Sequence, residues 1–427
     1  MNRIGTLACG LSLLGLVVAC TPPQQAANSG GGTSEAPLSQ DMSAEGMVPV
    51  FEVDPFFPKK MPNHWLQGPI IGVDVDSTDT VWVVHRNTPD QFVASTEVGA
   101  IQNPKLSECC AIAPAVNAFD QQGNLVKSWG GVGTENGGPY TWPSSNHGIT
   151  IDHMDNVWIG GNGPGDSHVL KFTKDGKFLA QYGKPNARKT GEKDGQPVYT
   201  RNSSDQESFG RVAKIGIDAA ANEAYIADGY FNRRIAVLDV STGAMKRFWG
   251  AYGNKPDDAD LPRYAEGETP QKTFRGPVHC SEISKDGFVY VCDRNADRIQ
   301  IFQKDGKFVS EHIIAPATLS QGSTWDIDFS HDAAQRFIYL ADGQNMKVYI
   351  IERKTMKVLT AFGDGGRQPG MFFAVHSLAV DSKGNIYTTE TYEGSRVQRF
   401  VFKGMAPVPA GAEGEKSQGV LWPKDKR

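Results

Sequence analysis

Residues 147–162 read HGITIDHMDNVWIGGN: an apolar strand closing on Asp152, a polar turn, and a second strand built around Trp158. A short apolar run bounded by turn formers is the signature of a β-strand, and two such runs a few residues apart pair as a hairpin. The pattern decides the fold because it returns. It recurs in GVDVDSTDTVWVVHRN (72–87), AKIGIDAAANEAYIADGY (213–230), HCSEISKDGFVYVCDRN (279–295), WDIDFSHDAAQRFIYLADGQ (325–344) and HSLAVDSKGNIYTTETY (376–392), giving six units from residue 67 onward. Recurrence of one supersecondary unit, at intervals stretched by insertions, signals a repeat architecture.

Between these hairpins lie their partner strands, HVLKFTKDGKFLAQYG (168–183), RIAVLDVSTGAMKRFWG (234–250) and RIQIFQKDGKFVSEHI (298–313), each crossing a KDGK or STG turn. Four short strands per unit and six units predict an all-β, six-bladed β-propeller with four antiparallel strands per blade. The abundance of 47 Gly and 25 Pro favours many turns over long helices. The last unit ends after three strands at RVQRFVFKG (396–404), so VPVFEVDPFF (48–57) is expected to supply its outer strand and close the ring.

Ahead of the propeller, expected over residues 48–403, Arg3 and the apolar LSLLGLVVA end at Cys20. Residues 1–20 therefore read as an export signal, and Val17-Val18-Ala19-Cys20 resembles a bacterial lipobox, which implies lipidation of Cys20. The Pro-, Gln-, Ser- and Gly-rich stretch 21–47 reads as a flexible tether, and 404–427 as a loose tail. The expected location is the bacterial cell envelope, with the protein anchored to a membrane and facing an oxidising compartment. The net charge of −5, without a block of Lys or Arg, argues against nucleic acid as a partner. The sequence leaves the oligomeric state open.

Aligning the units on the residue that ends the first strand brings Ile71, His147, Ala213, His279, Trp325 and His376 into one register of the innermost strands. Histidine occupies blades 2, 4 and 6, which lie about 120° apart around the axis of a six-bladed ring, so the three imidazoles converge. With nine His in the chain, this coincidence has a chance of about one in a few hundred, even allowing for a free choice of register. Three neutral histidines with an open position are a catalytic zinc arrangement; copper, nickel, cobalt and iron also accept imidazole. A second register, after each unit's second strand, holds Arg86, Asn162, Gly229, Arg294, Gly343 and Thr391. It lies on the same sheet edge, placing Arg86, Arg294 and the neighbouring Tyr230 near the metal. Guanidinium groups there suit a substrate carboxylate, and a phenol beside a metal suits a base.

The repeats resemble the NHL type. The set Arg86 in VVHRN, His147 in HGITID, Tyr230 in DGYFNRRI, His279 in GPVHC, Arg294 in DRNADRIQ and His376 in VHSLAVD resembles the lyase domain of peptidylglycine α-amidating monooxygenase, over residues 67 to 403. The resemblance implies zinc on His147, His279 and His376. It implies cleavage of a peptidyl-α-hydroxyglycine to an amide and glyoxylate, with Arg86, Arg294 and Tyr230 contacting substrate. It also implies a structural calcium on the backbone carbonyls of Val73 and Ile149 and on an aspartate after the third histidine, where this chain has Ser377. Ala374 stands where the family has a methionine, and the family's disulfide cysteines have no counterparts.

This chain has its own cysteines. A hairpin turning at KDG sets Cys280 opposite Cys292 at a spacing a disulfide can bridge, while Cys109 and Cys110 could bond each other, pair elsewhere or stay free. The insertions 185–208 and 253–273 join blades and are expected on the histidine edge, over the site. Two rival readings are a non-catalytic NHL-type propeller binding protein or glycan and a calcium-dependent lactonase-like propeller. The second requires carboxylates and amides in the axial register, and that register holds none.

Overall fold

The computed structural model describes residues 39–409 and 420–421. The expected export signal, Cys20 and the expected tether up to residue 38 lie outside the described residues. Six four-stranded antiparallel sheets follow one another along the chain, each running from an inner to an outer strand. Blade 1 is built from Ile70–Val75, Val81–His85, Val116–Phe119 and Leu125–Trp129. The inner strands of blades 2 to 6 are Asn146–Ile151, Val212–Asp218, Val278–Ile283, Asp326–Phe329 and Val375–Val380. Each inner strand touches the next, and the sixth touches the first, so the chain forms the six-bladed β-propeller that its repeats predict. Among the described residues no helix is long and apolar enough to cross a membrane.

The ring closes as expected. Met47–Asp54 pairs antiparallel with Arg396–Pro407 and becomes the outer strand of blade 6. Both outer boundaries differ from the sequence reading. Ser39 already bridges Met405, inside the stretch assigned to a tether. The last strand continues to Pro407, past residue 403, and Leu421 exchanges backbone hydrogen bonds with Phe51 and Val53, so these parts of the tail are paired. An edge strand presents free N–H and C=O groups that recruit any nearby extended segment, and composition does not reveal this.

The core is divided. Buried apolar side chains gather into clusters between neighbouring blades, for instance Trp82 and Val84 of blade 1 with Ile149, Val157 and Leu170 of blade 2, or Phe51 and Phe400 of blade 6 with Tyr339 and Ile350 of blade 5. Both faces of each sheet are therefore covered. This explains why second strands such as VWVV and FVYV are apolar at every position rather than alternating.

The Asp-to-aromatic spacing in the repeats has a direct cause. The carboxylate that ends the first strand accepts hydrogen bonds from the turn backbone and from the aromatic six residues on: Trp82 Nε1 to Asp76 at 3.0 Å, Trp158 Nε1 to Asp152 at 2.9 Å and Tyr387 Oη to Asp381 at 3.0 Å. Asp152 also pairs with the buried Lys171 ammonium at 2.9 Å. Burial opposes its ionisation, but the bonds from Trp158, Asn156 and Lys171 outweigh that and hold the carboxyl below the usual range. Asp152→Ala strands a buried ammonium and an indole N–H, and is expected to cost about 3–5 kcal/mol in urea unfolding at pH 7. A carboxyl with a depressed folded pKa stabilises above its unfolded pKa of about 4 and loses that contribution as pH falls. The gap between wild type and variant should therefore narrow below about pH 4.

Candidate metal centre

The inner strands are irregular at one edge of the channel. The ladder skips one residue at Ile71, Ala213, His279 and His376, and in blade 2 it skips Gly148, directly after His147. Such bulges bend a strand and re-aim its side chains. Gly148 has φ +73°, and a Cβ there would lie 2.4 Å from the Ala213 carbonyl oxygen, so glycine is required where the chain turns His147 inward.

The three histidines meet on the axis. Ring centroids are 5.2 Å apart for His147 and His279, 4.8 Å for His147 and His376, and 4.9 Å for His279 and His376. Each offers a nitrogen within 4.8 Å of the others. The His147 and His279 rings are each oriented from the blade that follows, by the backbone of the same register, and His376 faces the equivalent Ile71 backbone. His147 Nδ1 meets the Ala213 carbonyl at 2.7 Å, His279 Nδ1 meets the Trp325 carbonyl, and the Ile71 backbone raises the basicity of His376, whose Nδ1 falls short of strict hydrogen-bond geometry. A backbone carbonyl on Nδ1 fixes the Nδ1–H tautomer and leaves Nε2 free to ligate. Burial, then the charge of Arg86, pushes His147 down to about 3, and burial holds His279 and His376 well below the usual range. All three are neutral imidazoles with convergent nitrogens, a donor set able to hold a divalent transition metal.

Tyr230 stands directly over this set. Its phenol oxygen is 2.9 Å from His147 Nε2 and 2.9 Å from His279 Nε2. The sequence register placed Gly229 at the position of Arg86 and Arg294, and the structure shifts it by one. Arg86 N bonds to Pro69 O and Arg294 N to Pro277 O, but in blade 3 it is Tyr230 N that bonds to Arg211 O, at 3.1 Å. Gly229 is an extra residue squeezed against blade 4, where a Cβ would lie 2.2 Å from the Val278 backbone. That inserted glycine carries Tyr230 into the mouth.

Two predicted arginines flank the phenol. Arg294 donates from Nη1 to the Tyr230 oxygen at 3.2 Å, and its guanidinium lies 4.5 Å from the Trp325 ring centroid. Arg86 donates to Asn162 Oδ1 at 3.3 Å. Burial raises the Tyr230 phenol above the usual tyrosine range, against the lowering pull of Arg294 and Arg86. A third, Arg211, escaped the sequence reading: its guanidinium sits 4.6 Å over Phe231, beside Tyr230, and was discoverable only as the residue two before Ala213. Elsewhere in the blades buried arginines are paired, as Arg234 with Asp228 and Arg298 with Asp293. Arg86, Arg211 and Arg294 each keep a buried Nε without a partner. Among the described residues none of the three is ion-paired to a carboxylate, leaving the mouth open to an anion from outside.

The insertions gather at this mouth. Residues 189–199 form a hairpin, Arg201 Nε donates to Phe231 O at 2.9 Å, and Ser203 N donates to Asp258 of the next insertion at 2.9 Å. Cys280 lies opposite Cys292 and is disulfide-bonded to it, and Cys109 is bonded to Cys110.

Between the triad and the strands beneath it lies a cavity of about 10 Å³, room for about one water, walled by the three histidines on one side and by Ile149, Lys214, Asp326 and Ser377 on the other. Lys214 Nζ is 2.7 Å from Asp326 Oδ1 and 2.8 Å from Glu282 Oε1. Ser377 Oγ and Leu378 N donate to the other oxygen of Asp326 at 2.6 and 3.1 Å. Burial opposes the lysine charge, but Asp326 and Glu282 raise its pKa above the ordinary range. These residues do not fit a calcium: the serine is a neutral hydroxyl committed to Asp326, and the nearest carboxylates already hold an ammonium. The sequence reading of Val73 and Ile149 as calcium ligands lacked Lys214, a lone basic residue in the inner strand of blade 3.

No protein-family model matches the chain. Over 273 residues it is 22% identical to peptidyl-alpha-hydroxyglycine alpha-amidating lyase 1 of Drosophila melanogaster, covering 61% of this chain and 45% of that protein. Over 109 residues it is 31% identical to peptidyl-glycine alpha-amidating monooxygenase B of Xenopus laevis, covering 25% of this chain and 11% of that protein. The chain thus spans less than half the length of these curated relatives. Among solved structures, a protein of unknown function from Bacteroides thetaiotaomicron superposes with a TM-score of 0.50 at 12% identity, over 83% of this chain and 76% of that one. A streptogramin B lyase gives a TM-score of 0.47 at 12% identity, over 83% of this chain and 98% of that one. At these identities structural likeness speaks to fold alone. In sequence, the chain resembles the amidating lyases, and its distant relatives are lyases.

Proposed function

We propose that the chain is an exported zinc-dependent lyase that cleaves the C–N bond of a peptidyl-α-hydroxyglycine, or a similar α-hydroxy-amide bearing a carboxylate, to an amide and glyoxylate. The observation that carries this reading is the phenol of Tyr230 poised at 2.9 Å over two of three convergent, neutral histidines, between arginines that lack carboxylate partners. Zinc held by His147, His279 and His376 would supply Lewis acidity to a substrate hydroxyl.

Arg86 and Arg294 hold the substrate carboxylate, which fixes the α-carbon beneath Tyr230. Arg294 and Arg86, joined by the charge of a bound metal, would offset the burial that raises the Tyr230 phenol, and as phenolate Tyr230 takes the hydroxyl proton. The electron pair left on oxygen forms the aldehyde C=O as the C–N bond breaks. The departing amide nitrogen takes that proton from Tyr230, which returns to its phenolate form.

The cross-strand bond between Cys280 and Cys292 supports an oxidising compartment, in keeping with the export signal and the proposed lipid anchor at Cys20. The test of function is incubation with a peptide ending in α-hydroxyglycine, followed by mass spectrometry. The peptide amide should form far faster than in buffer, and persistence of the intact peptide would count against the reading. Arg294→Gln removes one charge-assisted contact and is expected to raise KM about 10- to 100-fold, as such bonds contribute about 1.5–3 kcal/mol. Steady-state kinetics on the same peptide measures this.

A further inference from the structure

We infer that Lys214 is a structural cation built into the chain: its ammonium does under the histidine triad what a bound divalent ion would do, and so positions His147 and His279. The network is continuous. Lys214 follows Ala213, whose carbonyl orients His147, and Asp326 follows Trp325, whose carbonyl orients His279. The 2.7 Å ion pair between Lys214 and Asp326 therefore ties together the two backbone positions that aim these rings. The second oxygen of Asp326 reaches Ser377, the residue after His376, at 2.6 Å. One ammonium and one carboxylate thus link the strands of blades 3, 5 and 6 just below the ligands, and Glu282 brings in blade 4 at 2.8 Å.

The charge pattern fits a substitution rather than an added site. A divalent ion on the axis needs several free oxygen ligands. Here Asp326 and Glu282 are ion-paired to Lys214, Asp74 and Asp328 accept from the backbone N–H groups of Ile151 and Val380, and the cavity of about 10 Å³ leaves no room for a hydrated ion. Removing the ammonium reverses both conditions, freeing Asp326 and Glu282 and enlarging the space between them. Lys214 is a positioning residue, since it acts through backbone and touches no ligand nitrogen.

This inference rests on the metal reading of the histidines, and its test separates the two. Zinc affinity, by competition with a chromophoric chelator, and thermal unfolding are measured for the full chain with and without millimolar calcium. The wild-type melting temperature should not respond to calcium. Lys214→Ala should melt lower, bind zinc about 10- to 100-fold more weakly, as expected when ligand-orienting groups are lost, and recover both properties saturably with calcium. Lys214→Met combined with Asp326→Asn leaves neither member of the pair charged; it should lose zinc affinity without gaining a calcium response, and it serves if the single variant does not fold. Saturable stabilisation of wild type by calcium would overturn the inference, as would unchanged zinc affinity in either variant or failure of calcium to rescue Lys214→Ala. Absence of zinc from wild type would instead remove the metal reading, while the calcium response of the melting temperatures still judges Lys214.

Discussion

His279→Ala is expected to abolish stoichiometric metal binding while leaving the propeller folded. The side chain is 3% exposed and its Nδ1 is held by the Trp325 carbonyl, so its nitrogen is delivered at no further ordering cost. Two ligands remain in the variant, on blades 2 and 6, and cannot surround an ion. Loss of a partner that merely orients a ligand costs about 10- to 100-fold in affinity, and loss of the ligand itself should exceed that. Stability should change less, because the imidazole faces the channel and does not belong to the apolar clusters between blades. Elemental analysis beside circular dichroism checks both halves: metal absent and spectrum unchanged is the expected pair.

Tyr230→Phe is expected to lower kcat by about 10²- to 10⁴-fold, the range general acid–base groups supply, with metal content intact. The ring remains to fill its place against the triad, 4.7 Å from His147 and 5.4 Å from His279 between centroids, so only the phenol oxygen is lost. Since the proposed mechanism gives the substrate carboxylate to Arg86 and Arg294, KM should move much less than kcat. A variant with full activity would transfer the proton-handling role to another group, and one with lost metal would make the phenol a ligand rather than a base.

The repeat and the ring closure were legible in the sequence for a physical reason. Each blade must cover both faces, so apolar strand pairs recur, and in blades 1, 2 and 6 the Asp-to-aromatic pair that caps the turn recurs at a spacing of six, as with Asp152 and Trp158. The histidine register was legible because a propeller repeats its geometry every blade. What stayed hidden depends on single backbone events. The bulges that aim the ligands leave no compositional trace, and the one-residue insertion at Gly229 shifts Tyr230 into register through a close approach that no pattern encodes. Lys214 was visible as a residue but not as a replacement, because its partners Glu282 and Asp326 come from blades far away in sequence.

A propeller that only binds protein or glycan would keep the same fold, since propellers host many unrelated activities. The two readings part on metal dependence. The most direct measurement strips the purified protein with a chelator and titrates zinc back while following glyoxylate release from a peptidyl-α-hydroxyglycine. Activity should vanish on stripping and rise linearly with zinc to a break at about one equivalent per chain, the stoichiometry of a single three-histidine site. Glyoxylate release that survives stripping, or zinc bound at that stoichiometry with no release at all, would contradict a zinc-dependent lyase.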